Sequence, residues 1–554
     1  MTVDDIYPWI NVLLIACFIG VYEYLPQAML AWSVPAKLKF YDSVIREYGV
    51  AVFVCVKICF AVGLASASAL LVVYWRPCAA GSGIPPTIEF SYDGRLKDPR
   101  TFDWQTVLVK TIGIALIITA GVPVGREGPA IHIGAGVAFI VSGFVTQFQN
   151  YVMKENKVNS IDVKRKMVLF GSAAGFASAF RSPMGGILYV IEEIAADWDV
   201  EGHKRTGCQM VLCAALSAYV TSVIIRASSG GGDIDFSSIV ITQEGETIGS
   251  GEIYFDTDII GFLATAVVCG ISGGFHTMLS LWFHRKRKHF KGGWRVVDTA
   301  VTAAVVAIVF SLIPLMYRRC ENNDAYDSAR RLAGAGERNF VQYNCDSGEF
   351  SALASLSLSG EEGVIRHLMS RDKTEFSLAP LCIFYVFYLP LMAGCMGMAV
   401  PQGSFVPNLL LGALNGRIVG ELMQLIFKNS TISSPGVFAL IGAASQLGAW
   451  TRTMITVVVT MVEITGDVGL IVPMAICTII ARQIAETIIP INYTHAHVTI
   501  HHEDAETTDS EKSEVDTTDK NLKKGERFVV RKSTLQTLGI LPESPSVGSK
   551  PQDV

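Results

Sequence analysis

Residues 121–136 read GVPVGREGPAIHIGAG and place one carboxylate, Glu127, between two glycines inside otherwise apolar sequence. An ionisable side chain in such surroundings is a functional group by default. A carboxylate is itself an anion, so it can occupy a site that a permeating anion would use, and protonation removes the charge and clears the site. The alternative is a structural ion pair with the neighbouring Arg126. A second acidic feature, Glu192-Glu193, closes the apolar run SPMGGILYVIEEIAADW. It is either a proton-handling pair or an interfacial pair at a helix end.

The elements that must hold these carboxylates are membrane elements. Hydrophobic residues make up 50% of the 554-residue chain and charged residues 17%, below the roughly 25% charged content of soluble domains. Long runs with few charges lie near 8–34, 49–76, 106–124, 130–148, 167–191, 208–226, 259–283, 296–317, 377–400, 405–427 and 453–480. At roughly 20 residues per span these predict a polytopic, all-helical integral membrane protein. The first run is too long, and with Glu23 and Gln27 too polar, for a cleaved signal peptide.

Three Gly/Pro-rich stretches fall at membrane depth: AAGSGIPPTIEF (79–90), GVPVGREGPAIHIGAG (121–136) and AVPQGSFVPNLLLGA (399–413). Irregular backbone there is tolerated only where protein buries it or it lines a wet cavity. Each stretch has glycines, then a proline, then an apolar run, which predicts a helix start with free backbone N–H groups and the positive end of the helix dipole. Glycine leaves that backbone uncovered. Converging starts make an anion site without a full positive charge, which suits an ion that must be released. Two such breaks early and one late predict two related halves meeting at one site.

The remaining features bound what else the chain can be. The basic runs HRKRKHFKGGWR (284–295) and KRK (164–166) are cytoplasmic, solvated loop candidates, with no folded basic face for nucleic acid. Most of the twelve cysteines sit in apolar runs, but Cys320 and Cys345 flank the longest polar loop, 318–376, and can pair if it faces an oxidising compartment. Residues 1–500 read as one membrane domain, and the polar, Ser/Thr-rich tail 501–554 as flexible. Asn429-Ser430-Thr431 matches a glycosylation acceptor. His495, His497, His501 and His502 offer metal-binding side chains at the edge of the tail without matching ligands nearby, so neither a metal site nor an enzyme is expected.

Five stretches in order resemble the CLC family of chloride channels and chloride/proton exchangers. They are GSGIP (81–85), GREGP (125–129), GSAAGFASAFRSPMGGILYVIEE (171–193), GSFVPNLLLGALNGRIVG (403–420) and GAASQLGAWTRTMITVVVTMVEITG (442–466). The resemblance covers roughly residues 50–495, and the loop 342–369 is similar to eukaryotic members. It implies an inverted repeat of two antiparallel halves with discontinuous helices, a homodimer with one path per subunit, and chloride as substrate with no cofactor. It implies that Ser82, beside Gly83, coordinates a central anion and that Glu127 is the gating glutamate, flanked by Arg126 and Gly128. Backbone N–H groups of Ser404 and Phe405 and the hydroxyl of Tyr493 complete the implied chloride site. Glu193 resembles the inner proton acceptor of the exchangers, where channel members usually carry an apolar residue. That favours proton-coupled exchange over a passive channel of the same fold. Ser82 resembles the chloride-preferring members, whereas nitrate-accumulating plant members carry proline there. Two departures stand out: Pro86 replaces the usual glutamate after GSGIP, and residues 501–554 are too few for the CBS-domain pair of most eukaryotic members. The membrane in which the protein works, an acidic organelle's or the plasma membrane, is not readable.

Overall fold

The computed structural model describes residues 3–153, 160–195, 204–228, 255–317, 319–322, 341, 343, 345, 349–370, 376–427 and 432–494. The tail, the acceptor at Asn429 and the cluster His495, His497, His501 and His502 lie outside the described residues. Helix α1 (Val3–Leu70) turns back at Gly49, whose φ of 79° is left-handed and available to glycine without strain. The Tyr41 ring lies 5.3 Å from Phe53 and 5.9 Å from Phe60. Along a straight helix Tyr41 and Phe60 would be about 28 Å apart, so the two arms form a hairpin.

The first half continues with α2 (Ile84–Asp93), α3 (Trp104–Thr119), α4 (Glu127–Met153), α5 (Ser160–Phe180), α6 (Pro183–Tyr189) and α7 (Lys204–Ser228). Helices α8 (Phe255–Lys288) and α9 (Gly293–Leu312) flank the basic turn. Strands β1 (Cys320–Asn322) and β2 (Glu349–Ser351) pair antiparallel, Cys320 opposite Ser351, and a Cys320–Cys345 disulfide ties the loop as the sequence allowed. Short helices α10 (Ala352–Leu358) and α11 (Glu361–Leu368) complete it. The second half is α12 (Leu378–Cys395), α13 (Phe405–Ile426), α14 (Pro435–Thr451), α15 (Ile455–Thr465) and α16 (Ile471–Ile488).

Among the described residues, eight helices are long and apolar enough to cross a membrane, and the protein is a multi-pass integral membrane protein. Helix α9 starts at the basic turn and ends near the disulfide-bearing loop. The positive-inside rule favours the cytoplasmic side for the basic turn, which would put the disulfide loop on the opposite, outer side.

Three expectations need correction. The apolar run 167–191 is two helices, α5 and α6, broken at Arg181, whose φ is 55°. The run 453–480 is likewise divided, because α15 ends at Gly466 with φ 70°. Hydropathy averages over such breaks and cannot see them. The basic run is also less uniformly exposed than expected: α8 continues through Lys288, and residues 288–294 are exposed while Arg287 is half-buried. Its guanidinium donates to the Gly394 carbonyl, to Met396 O at 2.7 Å and to Asp298 at 2.7 Å. It thereby caps the end of α12, where carbonyls lack helical partners.

The halves are built alike. In α4 and α5, a side chain at Gly134 would strike the Gly171 carbonyl; in α13 and α14, one at Gly412 would strike the Gly442 carbonyl. Both helix pairs cross at glycine contact. Arg181 and Arg452 (φ 66°) are the non-glycine residues with positive φ among those described, and each precedes the matching short helix, α6 or α15. The same spacing separates Arg181 from Glu192 and Arg452 from Glu463. Those glutamates cap one another's helices. Glu192 accepts from Ile455 N at 3.1 Å, Thr456 N at 2.8 Å and Thr456 Oγ1 at 2.6 Å. Glu463 accepts from Met184 N at 3.1 Å, Gly185 N at 3.0 Å and the Ser182 hydroxyl.

Candidate anion and proton site

The three predicted breaks meet. Gly125 N donates to Gly403 O at 2.8 Å and Gly403 N to Gly125 O at 2.7 Å, while Gly81 N donates to Val400 O at 2.9 Å. A methyl on Gly128 would sit 2.8 Å from Ser82 Cβ and 3.4 Å from Gly403 Cα, so all three strands of irregular backbone touch. Helices α2, α4 and α13 start from this junction, at Ile84, Glu127 and Phe405. Each has a proline in its first turn, where the absent N–H costs no helical bond. Gly83 precedes α2 with φ 78°, and Ser82 Oγ accepts from Ile84 N at 3.3 Å. Ser404 precedes α13, its carbonyl accepting from Asn408 N at 3.1 Å and Asn408 Nδ2 at 2.7 Å. In α2 the first turn is Ile84-Pro85-Pro86, so its one N–H is the one that bonds Ser82, whereas in α4 and α13 the first-turn N–H groups have no helical partner.

Glu127 is 2% exposed at the head of α4. Its Oε2 has no hydrogen-bond partner, and a side chain at Gly125 would fall on it and within 3.3 Å of Val406 N. The ion-pair alternative is weak. Arg126 Nε stands 3.9 Å from Glu127 Oε1, whereas its Nη2 is 3.4 Å from Glu362. Glu127 and Arg126 line an outer cavity of about 800 Å³ that reaches Glu361, Glu362 and Tyr388 below the disulfide loop. Arg417, fully buried on α13, holds that loop down through Ser370 O at 2.7 Å and Leu368 O at 3.2 Å.

The acidic pair divides into two roles. Glu192 is consumed by capping α15, whereas Glu193, 8% exposed, has Asn492 Nδ2 at 3.4 Å from its Oε1. One turn earlier, Tyr189 stacks on Phe176 at 5.1 Å and meets Phe405 edge-on at 5.5 Å. Tyr189 therefore connects the Glu193 end of α6 to the start of α13, a link that sequence reasoning missed. Its signal was the i, i+4 spacing from Tyr189 to Glu193. Tyr493, stacked on Trp450 at 5.4 Å, shares its hydroxyl with His284 Nδ1 at 3.0 Å.

Sequence reasoning also missed Lys110 and His132, both fully buried, which lie directly behind Gly83, where a side chain would overlap them. Lys110 Nζ has no hydrogen-bond partner. The signal was a lone lysine in the apolar run 106–124.

The sequence pattern of voltage-gated chloride channels matches residues 6–486. The chain is 27% identical over 565 residues to chloride channel protein D of Dictyostelium discoideum, covering 88% of this chain and 54% of that protein. It is 28% identical over 423 residues to the H+/Cl− exchange transporter 7 of Homo sapiens, covering 76% and 51%. It spans about half the length of the curated relatives it matches. Among solved structures, a slow cyanobacterial Cl−/H+ antiporter aligns with a TM-score of 0.68 at 16% identity, over 89% of this chain and 98% of that one. A eukaryotic CLC transporter aligns with a TM-score of 0.61 at 20% identity, over 90% and 75%. These likenesses show the fold, two halves with discontinuous helices. By its pattern over nearly the whole described length, the chain belongs to the voltage-gated chloride channel, or CLC, family.

Proposed function

We propose that this protein exchanges chloride for protons. The observation that carries the reading is the junction itself: three helix starts converge on it, and one buried carboxylate oxygen among them has no hydrogen-bond partner. Chloride passes between the starts of α2 and α13, held by the Ser82 hydroxyl, the uncovered backbone at Gly83 and Gly128, and the N–H groups of Ser404 and Phe405, with Arg126 at the outer edge. Tyr493 closes the inner side. Glu127 competes for the same N–H groups when charged and leaves them when protonated. Glu193, whose carboxylate faces Asn492, accepts the proton from the cytoplasmic side. Exchange follows because the anion can enter only where a protonated Glu127 has left. No cofactor takes part, and two subunits each carry one path.

A CLC member of the exchanger type is among the relatives, which agrees with a carboxylate at position 193. The test is flux from liposomes holding the purified protein. An imposed chloride gradient should drive protons uphill. Chloride movement with no proton movement makes the protein a passive channel and overturns the reading.

A further inference from the structure

The start of α13 is pinned twice where the start of α4 is pinned once. The Ser404 carbonyl accepts from Asn408 N at 3.1 Å, the first helical bond of α13, and again from Asn408 Nδ2 at 2.7 Å. That carbonyl and the Phe405 N–H belong to one planar trans peptide and point in opposite directions. Holding the carbonyl along the helix therefore aims the Phe405 N–H into the junction. A carbonyl with two donors is also more polarised, which makes the N–H of the same peptide a stronger donor. The matching residue in α4 is Ala130, whose N donates to Arg126 O at 3.0 Å and whose methyl can add no second bond. The extra pin thus belongs to the phenylalanine start and not to the glutamate start.

Behind Asn408 stands α8, which the transport path as described does not use. His276, fully buried on α8, presents its ring to the Asn408 side chain, which is fully buried as well. Neither Asn408 Oδ1 nor either ring nitrogen of His276 has a hydrogen-bond partner elsewhere among the described residues. A buried ring N–H and a buried amide oxygen each cost free energy when left unpaired, and pairing them with each other relieves both costs. The face of the ring is fixed separately. It lies 4.2 Å from Trp450 with the planes 31° apart, and Trp450 in turn stacks on Tyr493 at 5.4 Å.

We propose that His276 is a positioning residue for the anion site: its ring N–H donates to Asn408 Oδ1, which fixes the amide so that Nδ2 holds the Ser404 carbonyl and the Phe405 N–H stays aimed at the ion. The inference rests on the transport reading for the chloride at Phe405. The terminal torsion of an asparagine is broad and soft, so an amide held by Nδ2 alone can swing, whereas one held at both ends cannot. His276 therefore acts on affinity by preorganising the donor and never touches the ion itself.

The test is chloride flux in liposomes holding the full chain, with apparent KM and maximal rate measured separately and Tm read in detergent. His276→Phe keeps a ring against Trp450 and removes the donor. It should raise the apparent KM for chloride about three- to fivefold, the scale of one neutral hydrogen bond, with maximal rate and Tm little changed. His276→Gln, which keeps a donor, should bring KM back to within about twofold of the unaltered protein. Asn408→Ala should raise KM at least as far as His276→Phe does. Adding His276→Phe to it should do nothing more, because the histidine acts only through that amide. An unchanged KM in His276→Phe, with or without a loss of Tm, overturns the proposal, and so does a double variant whose effects add. Should His276→Phe fail to fold, Asn408→Ala decides the matter, and an unchanged KM there overturns the proposal too. Chloride flux without proton movement in the unaltered protein would overturn the exchange reading alone, since the KM comparison needs only chloride.

Discussion

The two breaks that pair across the centre of the molecule are Gly125-Arg126-Glu127-Gly128-Pro129 and Gly403-Ser404-Phe405-Val406-Pro407. Position by position they share the leading glycine, which exchanges backbone hydrogen bonds with its counterpart, and the proline in the first helical turn. They differ at the first helical residue: Glu127 in one half, Phe405 in the other. The same comparison at the short helices gives Glu192-Glu193 against Glu463-Ile464. Glu192 and Glu463 are equivalent and cap one another's helices. Glu193 has an apolar counterpart. Residues that obey the internal symmetry build the scaffold, and the carboxylates that break it at these positions are the two assigned to proton movement.

That contrast can be broken most severely at Glu127. Glu127→Gln is expected to reduce proton flux to background and to make chloride flux insensitive to pH, measured in liposomes with a pH electrode and a chloride electrode side by side. Retained coupling would show that the asymmetry at this position carries no chemistry. Next in size are the shared crossings. A side chain at Gly416 would overlap the Phe438 carbonyl, so Gly416→Leu should cost at least about 3 kcal/mol through overpacking against rigid backbone. Thermal unfolding in detergent should show a large loss of Tm or no folded protein.

Glu463→Gln sharpens the comparison from the symmetric side. It weakens charge-assisted bonds to two backbone N–H groups and one hydroxyl, and should lower stability by about 1.5–3 kcal/mol while leaving proton coupling intact. A coupling defect without a stability loss would contradict its role as a cap. The smallest effect is expected at Glu361, half-buried on α11 in the outer loop. Burial pushes its carboxyl from an ordinary 4.5 up to about 8, aided by Glu127 and Glu362 and opposed by the Tyr388 hydrogen bond. The group is therefore neutral below that pH and charged above it. Because its folded value is raised, its contribution to stability falls as pH rises from 4.5 through 8. Its charge above pH 8 also opposes anion entry to the cavity. Glu361→Gln should flatten the alkaline decline in chloride uptake, an effect of about twofold.

Much of this architecture was legible because it rests on strong local chemistry. Gly/Pro breaks in apolar sequence announced the helix starts of α2, α4 and α13, and their number and placement announced two halves. The disulfide was legible from two cysteines flanking one polar loop. What the sequence could not show depends on contacts between distant segments. The break at Arg181 hides inside a hydrophobic run because arginine adopts positive φ there only under tertiary constraint. The different fates of Glu192 and Glu193 depend on where α15 begins, more than two hundred residues away. Lys110 behind Gly83 looks in sequence like an isolated charge in a membrane run.

The most direct test compares Glu193→Ala with Glu192→Gln in the same liposome assay, driving protons with a chloride gradient. The symmetry-breaking account predicts that Glu193→Ala moves chloride without protons, while Glu192→Gln stays coupled and loses only stability. Coupling retained in Glu193→Ala, or lost in a stably folded Glu192→Gln, would contradict it.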